Sequence, residues 1–151
     1  MKNQYNYHIR TASIEEVFVL AEKIPEFQSN PKPLSEYRKR LSEENSLILV
    51  AEQNLQLVGY KIGYDRYQDG SFYSWLGAVL PEYRKTGVAT LLANEQEKRV
   101  RKKGFTSIKM KTLNRFKNML LFALQRGFYI TDFERREPIR ESRIELEKQL
   151  E

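Results

Sequence analysis

The sequence predicts a mixed α/β fold of the α+β kind, in which a mainly antiparallel sheet of six to seven strands is flanked by four helices. Three observations carry this. Segments of strand period and helix period follow one another in the order β-α-α-β-β-β-α-β-α-β-β. Turn signals separate the apolar runs between residues 47 and 80, as neighbouring antiparallel strands require. Around residues 79–92 an extended run passes through a short basic loop into an amphipathic helix.

Tyr7 to Thr11 reads as the first strand. Ser13-Ile14-Glu15-Glu16 has the form of a capping box, and Ile14, Val17, Phe18, Ala21 and Ile24 follow at helical spacing, which predicts a first helix ending near Pro25. Gln28 to Pro33 is loop chemistry. Leu34, Tyr37 and Leu41 mark a shorter second helix ending around Glu44. Leu47 to Ala51 suits a buried strand, with Gln53-Asn54 as the turn into a strand over Leu55 to Tyr67. Leu57, Gly59, Lys61 and Gly63 are expected on one face of it, and Val58, Tyr60, Ile62 and Tyr64 on the other. Gln68-Asp69-Gly70-Ser71 is a hairpin signal, and Phe72 to Leu80 is the fourth strand.

The third helix is expected from about Gly87 to Lys103, with Val88, Leu91, Leu92 and Val100 inward and Gly104 as C-cap signal. Ser107 to Leu113 alternates as a strand with one polar face. Phe116, Met119, Leu120, Ala123 and Leu124 fit the helical template of a fourth helix closed by Gly127. Tyr129 to Glu134 is a strand, Arg135 to Pro138 a loop, and the Ile144, Leu146, Leu150 alternation predicts a final strand. With no repeat, linker or low-complexity segment, residues 1–151 are expected to form one domain.

Composition narrows the chemistry. There is no cysteine and a single histidine, His8, so a disulfide framework, a thiolate nucleophile, a Ser-His-Asp triad and a metal centre are not expected. No run is apolar enough to span a membrane, and the polar stretch Met1 to Arg10 predicts no signal peptide, so a cytoplasmic location is expected. The net charge of +6 favours anionic ligands. The basic run Lys98 to Lys103 falls at the end of a helix, where cations suit the dipole, and reads as a solvated face rather than a nucleic-acid site.

The junction Val79-Leu80-Pro81-Glu82-Tyr83-Arg84-Lys85-Thr86-Gly87-Val88-Ala89 is the chemical centre of the chain. A strand–loop–helix passage collects unpaired N–H groups at the positive end of a helix dipole, where phosphate oxygens bind. Gly87 and Ala89 admit a bulky anion to the backbone, and Arg84 and Lys85 add positive charge. It reads as a pyrophosphate cradle.

The element order, together with Arg84-Lys85-Thr86-Gly87-Val88-Ala89, the preceding Val79-Leu80-Pro81 and the helix end Arg126-Gly127-Phe128, resembles the GCN5-related N-acetyltransferase (GNAT) superfamily over about residues 7–150. That resemblance implies acetyl-CoA as cofactor. The loop Arg84 to Ala89 would take its pyrophosphate, and the backbone of Gly77, Ala78 and Val79 would pair with the pantetheine amides. Asn114 and Asn118 would contact the cofactor near the fourth helix, with Lys117 at the 3′-phosphate. It implies direct attack by a primary amine of a small molecule or peptide on the thioester, with an N–H near Val79 for the oxyanion.

The family's usual acid and base are missing. The tyrosine many members carry on the fourth helix is replaced by Phe122 and Ala123, and the glutamate of histone-acetylating members by Tyr73. The substitutes are Tyr73 or Tyr129 as acid, and Glu26 or Glu82 as base through water. Glu26 stands out because Pro25-Glu26-Phe27 falls where the resemblance places a loop lining the acceptor pocket. Tyr60, Tyr64, Tyr67, Phe72, Tyr73 and Trp75 supply core and the lining of an acceptor cleft. Two readings stand: an N-acetyltransferase, and a non-catalytic acyl-CoA-binding or regulatory module. No membrane partner is expected, and a homodimer is left open.

Overall fold

Residues 5–151 are described by the computed structural model, in which seven strands form one sheet of order β1-β2-β3-β4-β5-β7-β6. The strands are β1 (His8–Thr11), β2 (Leu47–Gln53), β3 (Gln56–Tyr64), β4 (Ser71–Val79), β5 (Ser107–Leu113), β6 (Tyr129–Glu134) and β7 (Arg143–Gln149). The helices are α1 (Ile14–Ala21), α2 (Leu34–Leu41), α3 (Val88–Lys102) and α4 (Lys117–Gln125). The order of elements is the one expected, and the tail is a strand. Among the described residues no helix is long and apolar enough to cross a membrane.

Local chemistry explains the boundaries. Ser13 and Glu16 form the reciprocal capping box that starts α1. The helix stops at Ala21, short of Pro25, because a residue before proline is driven out of the helical region, and Ile24 is extended with ψ 116°. Tighter bonds from Lys23 N to Leu20 O and from Ile24 N to Ala21 O close the last turn. The turn into β3 falls on Asn54 and Leu55, both with positive φ, so β3 begins at Gln56 rather than Leu55 and ends at Tyr64 rather than Tyr67.

Two core clusters lie on opposite faces of the sheet. One gathers Leu49, Phe72, Val88, Leu92, Ile108 and Ala123 on the α3/α4 side. The other gathers Val17, Leu20, Tyr37, Tyr60, Ile62, Tyr73 and Trp75 on the α1/α2 side. The expected alternation along β3 fails at one point. The ladder to β2 passes from Ala51–Gly59 to Glu52–Leu57, so Val58 is an extra residue. It joins the α3/α4 cluster, opposite to Tyr60 and Ile62.

Both long helices are rotated from expectation. The buried residues of α3 are Val88, Leu92, Ala93, Gln96 and Val100. Their stripe is centred between Leu92 and Gln96, which puts Leu91 about 140° away, and Leu91 is exposed. On α4 the inward residues are Met119, Leu120, Phe122 and Ala123, with Arg126 just past its end, while Leu124 faces out.

β4 and β5 are the one parallel pair, and the ladder between them is short. Ser71 to Ser74 pair with Ser107 to Met110, and from there to Val79 and Leu113 the two strands run on unpaired with each other. A bulge on β4 accompanies the parting, because Ile62 pairs with Leu76 and Gly63 with Ser74, leaving Trp75 as the extra residue. The sheet therefore opens into a fork with its closed end at Ser74 and Met110.

Candidate functional site

β4 leaves the sheet at Val79 and enters a 3-10 turn over Pro81–Tyr83. The loop reverses through left-handed backbone at Lys85, with φ 64°, and at Gly87, with φ 98°, before α3 begins. A Cβ on Gly87 would have no other atom within 4 Å, so the glycine is required by its backbone angle and not by crowding. The loop is braced from behind: the Thr86 hydroxyl donates to Tyr83 O and lies 2.7 Å from the Tyr7 hydroxyl. Arg84 N–H is spent on Pro81 O. The N–H groups of Lys85, Thr86, Gly87, Val88, Ala89 and Thr90 make no hydrogen bond to the described residues. Such a set of N–H groups at the mouth of a 15-residue helix can hold a phosphate or diphosphate.

The fork supplies a second surface of backbone groups. Leu80 N–H donates to Val58 O at 2.8 Å on the β3 side. By the alternation of an antiparallel ladder, Ala78 also points to β3, and Gly77 and Val79 turn their polar groups into the fork. Val79 O is taken by Arg84 Nε at 2.9 Å. An extended ligand arm lying from the loop toward Ser74 would run along this edge. Asn114 is occupied with bracing the region behind β5: its N–H reaches Ser142 O and its Nδ2 donates to Ile139 O at 3.4 Å. Lys117 and Asn118 are exposed in the first turn of α4.

The α1/α2 side of the fork is lined by side chains. Tyr73 is 4% exposed and packs edge-on against Tyr64 and Tyr67. Burial pushes its hydroxyl pKa up, against the opposing field of Arg66. Trp75 packs against Tyr37 with the rings tilted by 55°, and the Arg40 guanidinium lies 4.7 Å above its ring. The Arg66 guanidinium sits 5.0 Å over Tyr73. Lys111, on β5 beyond the parting, has a lowered pKa through burial and then the repulsion of Arg66. Phe72 does not belong here; it is buried in the cluster on the opposite face.

Glu26 reaches the site as an ion-pair partner. Both its oxygens accept from Arg84, Nη1 and Nη2 each at 2.9 Å, and this bidentate bond holds its carboxyl below the usual range. The structure thus joins the α1–α2 loop to the loop that precedes α3. Tyr129 is placed elsewhere: it is 76% exposed on β6, three strand spacings or about 14 Å from β4. Glu82 is exposed in the turn before the loop.

On the α3/α4 side, at the closed end of the fork, a cavity of about 10 Å³ is lined by Lys61, Gln96, Met110, Phe122, Ala123 and Arg126 among others. Lys61 points here because it lies opposite Gly77, and its Cγ would sit 3.5 Å from a Cβ at that position. Burial and Arg126 lower its pKa to about 8, with Glu97 opposing. Burial alone would raise the Glu97 carboxyl, but hydrogen bonds from Lys148 and Arg126 hold it below its usual value. Gln96 is 1% exposed, and its Nε2 and Arg126 Nε have no hydrogen-bond partner. The signal for this polar cluster was a lone lysine between Gly59 and Gly63 on a face destined for the core.

The chain matches the family model described as "Acetyltransferase (GNAT) family" over residues 14–128. Among solved structures it is similar to the ribosomal-protein-S18-alanine N-acetyltransferase of Escherichia coli, at TM-score 0.82 and 14% identity, covering 96% of this chain and 94% of that one. It is also similar to Ard1 of Thermoplasma volcanium, at TM-score 0.80 and 15% identity, covering 96% and 98%. The PaiA N-acetyltransferase of Thermoplasma acidophilum, solved in complex with coenzyme A, aligns at TM-score 0.74 and 19% identity, covering 96% and 99%.

Proposed function

We propose that this chain, which belongs to the acetyltransferase (GNAT) family, transfers the acetyl group of acetyl-CoA to a primary amine by direct attack. The observation that carries the reading is the joining of two backbone surfaces in one groove: the unpaired N–H groups of residues 85–90 and the unpaired edge of β4. Acetyl-CoA supplies an acyl group activated as a thioester. The loop from Arg84 to Ala89 binds the diphosphate, Gly77 and Val79 align the pantetheine arm, and Lys117 and Asn118 meet the cofactor from α4. The Val79 N–H is the donor offered to the developing oxyanion.

The acceptor amine enters from the α1/α2 side, among Tyr64, Tyr67, Tyr73 and Trp75. These rings, with Arg40, Arg66 and Lys111 beside them, support a small-molecule or peptide amine that presents an aromatic or apolar surface. Glu26, held by Arg84, is a poor base, and proton removal from the acceptor falls to water at this mouth. Replacement of the family's α4 tyrosine by Phe122 and Ala123 favours a second reading, a CoA-binding module without turnover. Isothermal titration with acetyl-CoA tests the first step, and absence of binding would sink both readings. A thiol-release assay over a panel of amines and peptides separates them: release with any amine establishes the enzyme, and binding without release establishes the module.

A further inference from the structure

We propose that Lys61 is the proton donor to the CoA sulfur, acting from the cavity at the closed end of the fork in place of the hydroxyl that Phe122 and Ala123 do not provide; this rests on the acetyl-CoA reading above.

Position comes first. Lys61 is one strand removed from the unpaired edge of β4, and the residue between it and the fork is Gly77. With no side chain there, the lysine stem passes along the α3/α4 face of β4. The cavity it enters is bounded by Met110, the last β5 residue paired with β4, so it lies where the fork closes. The phosphate loop lies at the other, open end. A ligand anchored by its phosphates at α3 and extended along Val79 and Gly77 brings its far end, the sulfur, to this cavity.

Charge comes second. Lys61, Arg126 and Lys148 surround a single carboxylate, Glu97. Glu97 is already satisfied: Arg126 Nη2 donates to it at 2.9 Å, and Lys148 Nζ at 2.9 and 3.1 Å. Lys61 Nζ makes no hydrogen bond with the described residues. The cluster therefore carries uncompensated positive charge, and a sulfur that becomes anionic as it leaves is the group it suits. Gln96, which lines the same cavity, has a buried Nε2 without a partner and adds a neutral donor.

Proton chemistry comes third. Arg126 cannot give up a proton, and an amide is not an acid at neutral pH. Lys61, with its pKa lowered to about 8, is acidic enough to give its proton to a departing thiolate and is reloaded from water near neutral pH. As the bond from the acceptor nitrogen to the acyl carbon forms and the C–S bond gives its electron pair to sulfur, Lys61 Nζ passes its proton to the sulfur. The neutral amine left on Lys61 is reprotonated by solvent, and the acceptor's surplus proton leaves through water on the opposite side of the sheet.

The test compares the whole protein with Lys61→Met and Lys61→Arg in binding CoA and desulfo-CoA, by calorimetry and by the ultraviolet absorbance of the thiolate, from about pH 6.5 to 9.5. In the wild type the bound thiol ionises about one pH unit below that of free CoA, roughly a tenfold gain in thiolate. CoA accordingly outbinds desulfo-CoA at alkaline pH. Lys61→Met diminishes both effects and keeps its affinity for desulfo-CoA. Lys61→Arg retains the ionised thiol and still loses at least about tenfold in thiol release, since arginine holds its proton. Equal thiol ionisation in the wild type and Lys61→Met overturns the assignment, as does a loss of affinity shared equally by CoA and desulfo-CoA. If neither coenzyme binds the wild type, it is the cofactor reading that has failed.

Discussion

The two sides of β4 are built on different principles. Toward α3 the groove is a matter of backbone: N–H groups from residues 85–90, the edge at Gly77 and Val79, and one obligatory left-handed residue, Gly87. Toward α1 and α2 it is a matter of side chains: Tyr64, Tyr67, Tyr73 and Trp75 packed edge to face, with Arg40, Arg66 and Lys111 among them. A backbone site needs a fold and very few residue identities. It is compatible with a shared fold at 14–19% identity. A side-chain site is rewritten by each substitution, so the same fold carries different acceptors.

The contrast breaks first, if it breaks, at Gly87. An isoleucine there must adopt φ 98°, a region that costs a β-branched residue about 1–2 kcal/mol or more, or else the loop must turn its N–H groups away. We expect Gly87→Ile to weaken acetyl-CoA binding by about a hundredfold or more in calorimetry, with the fold retained by circular dichroism. Unchanged affinity would show that the loop backbone is not the cradle.

Lys61, the proton donor proposed above, lies on the backbone side, and its burial has a stability signature. Because its folded-state pKa of about 8 lies below the unfolded value of 10.5, the folded state is penalised for carrying the charge at neutral pH. Between about pH 8 and 10.5 the unfolded chain holds a proton that the folded one has released, so stability rises with pH across that window. Lys61→Met should be more stable than the wild type at pH 7, by roughly 1–3 kcal/mol, and the gap should narrow toward pH 10 in urea denaturation. A constant gap would show the ammonium to be well solvated.

The acceptor side is sharpened by the opposite pattern. Arg66→Ala and Lys111→Ala remove positive charge that repels an ammonium at this mouth, and are expected to lower KM for a protonated amine by about threefold while leaving acetyl-CoA affinity within about threefold. Tyr73→Phe keeps the ring packing and removes only the hydroxyl; with Lys61 as proton donor it lowers kcat by no more than about threefold. A large kcat loss in Tyr73→Phe would move the acid to the other face of the sheet.

The same division separates what was legible in the sequence from what was not. Periodicity and punctuation are local, so the element order, the Ser13–Glu16 capping box, the final strand and the Val79 to Ala89 junction could all be read. Bulges are decided by pairing with another strand, so the displacements at Val58 and Trp75 and the resulting change of face could not. The inward stripes of α3 and α4 depend on how each helix rolls on the sheet, which placed Leu91 and Leu124 outside and Gln96 and Arg126 inside. Lys61 carried a polar label in a pattern that made its neighbours core, and only its passage beside Gly77 explains it. Glu26 was expected at the acceptor pocket, and its pairing with Arg84, 58 residues away in the chain, was not readable from local sequence.

That ion pair is where the two halves meet, and it yields the smallest effect. Glu26 belongs to the α1–α2 loop, on the proposed acceptor side, and Arg84 to the loop before α3 proposed to hold phosphate, both about 40% exposed. An exposed pair, even a bidentate one, contributes about 0.2–1 kcal/mol and is screened by salt. If Glu26 only tethers the loops, Glu26→Gln should change acetyl-CoA affinity by no more than about threefold, leave kcat near the wild type, and lose even that effect in high salt. If it were the general base, the same variant would lose about a hundredfold or more in kcat at every salt concentration. Its lowered pKa argues for the tether: a carboxylate stabilised by a guanidinium in its charged form has less drive to take a proton from an ammonium. Steady-state kinetics of Glu26→Gln at low and high salt therefore decide whether the acceptor half contains a base of its own or leaves the proton to water.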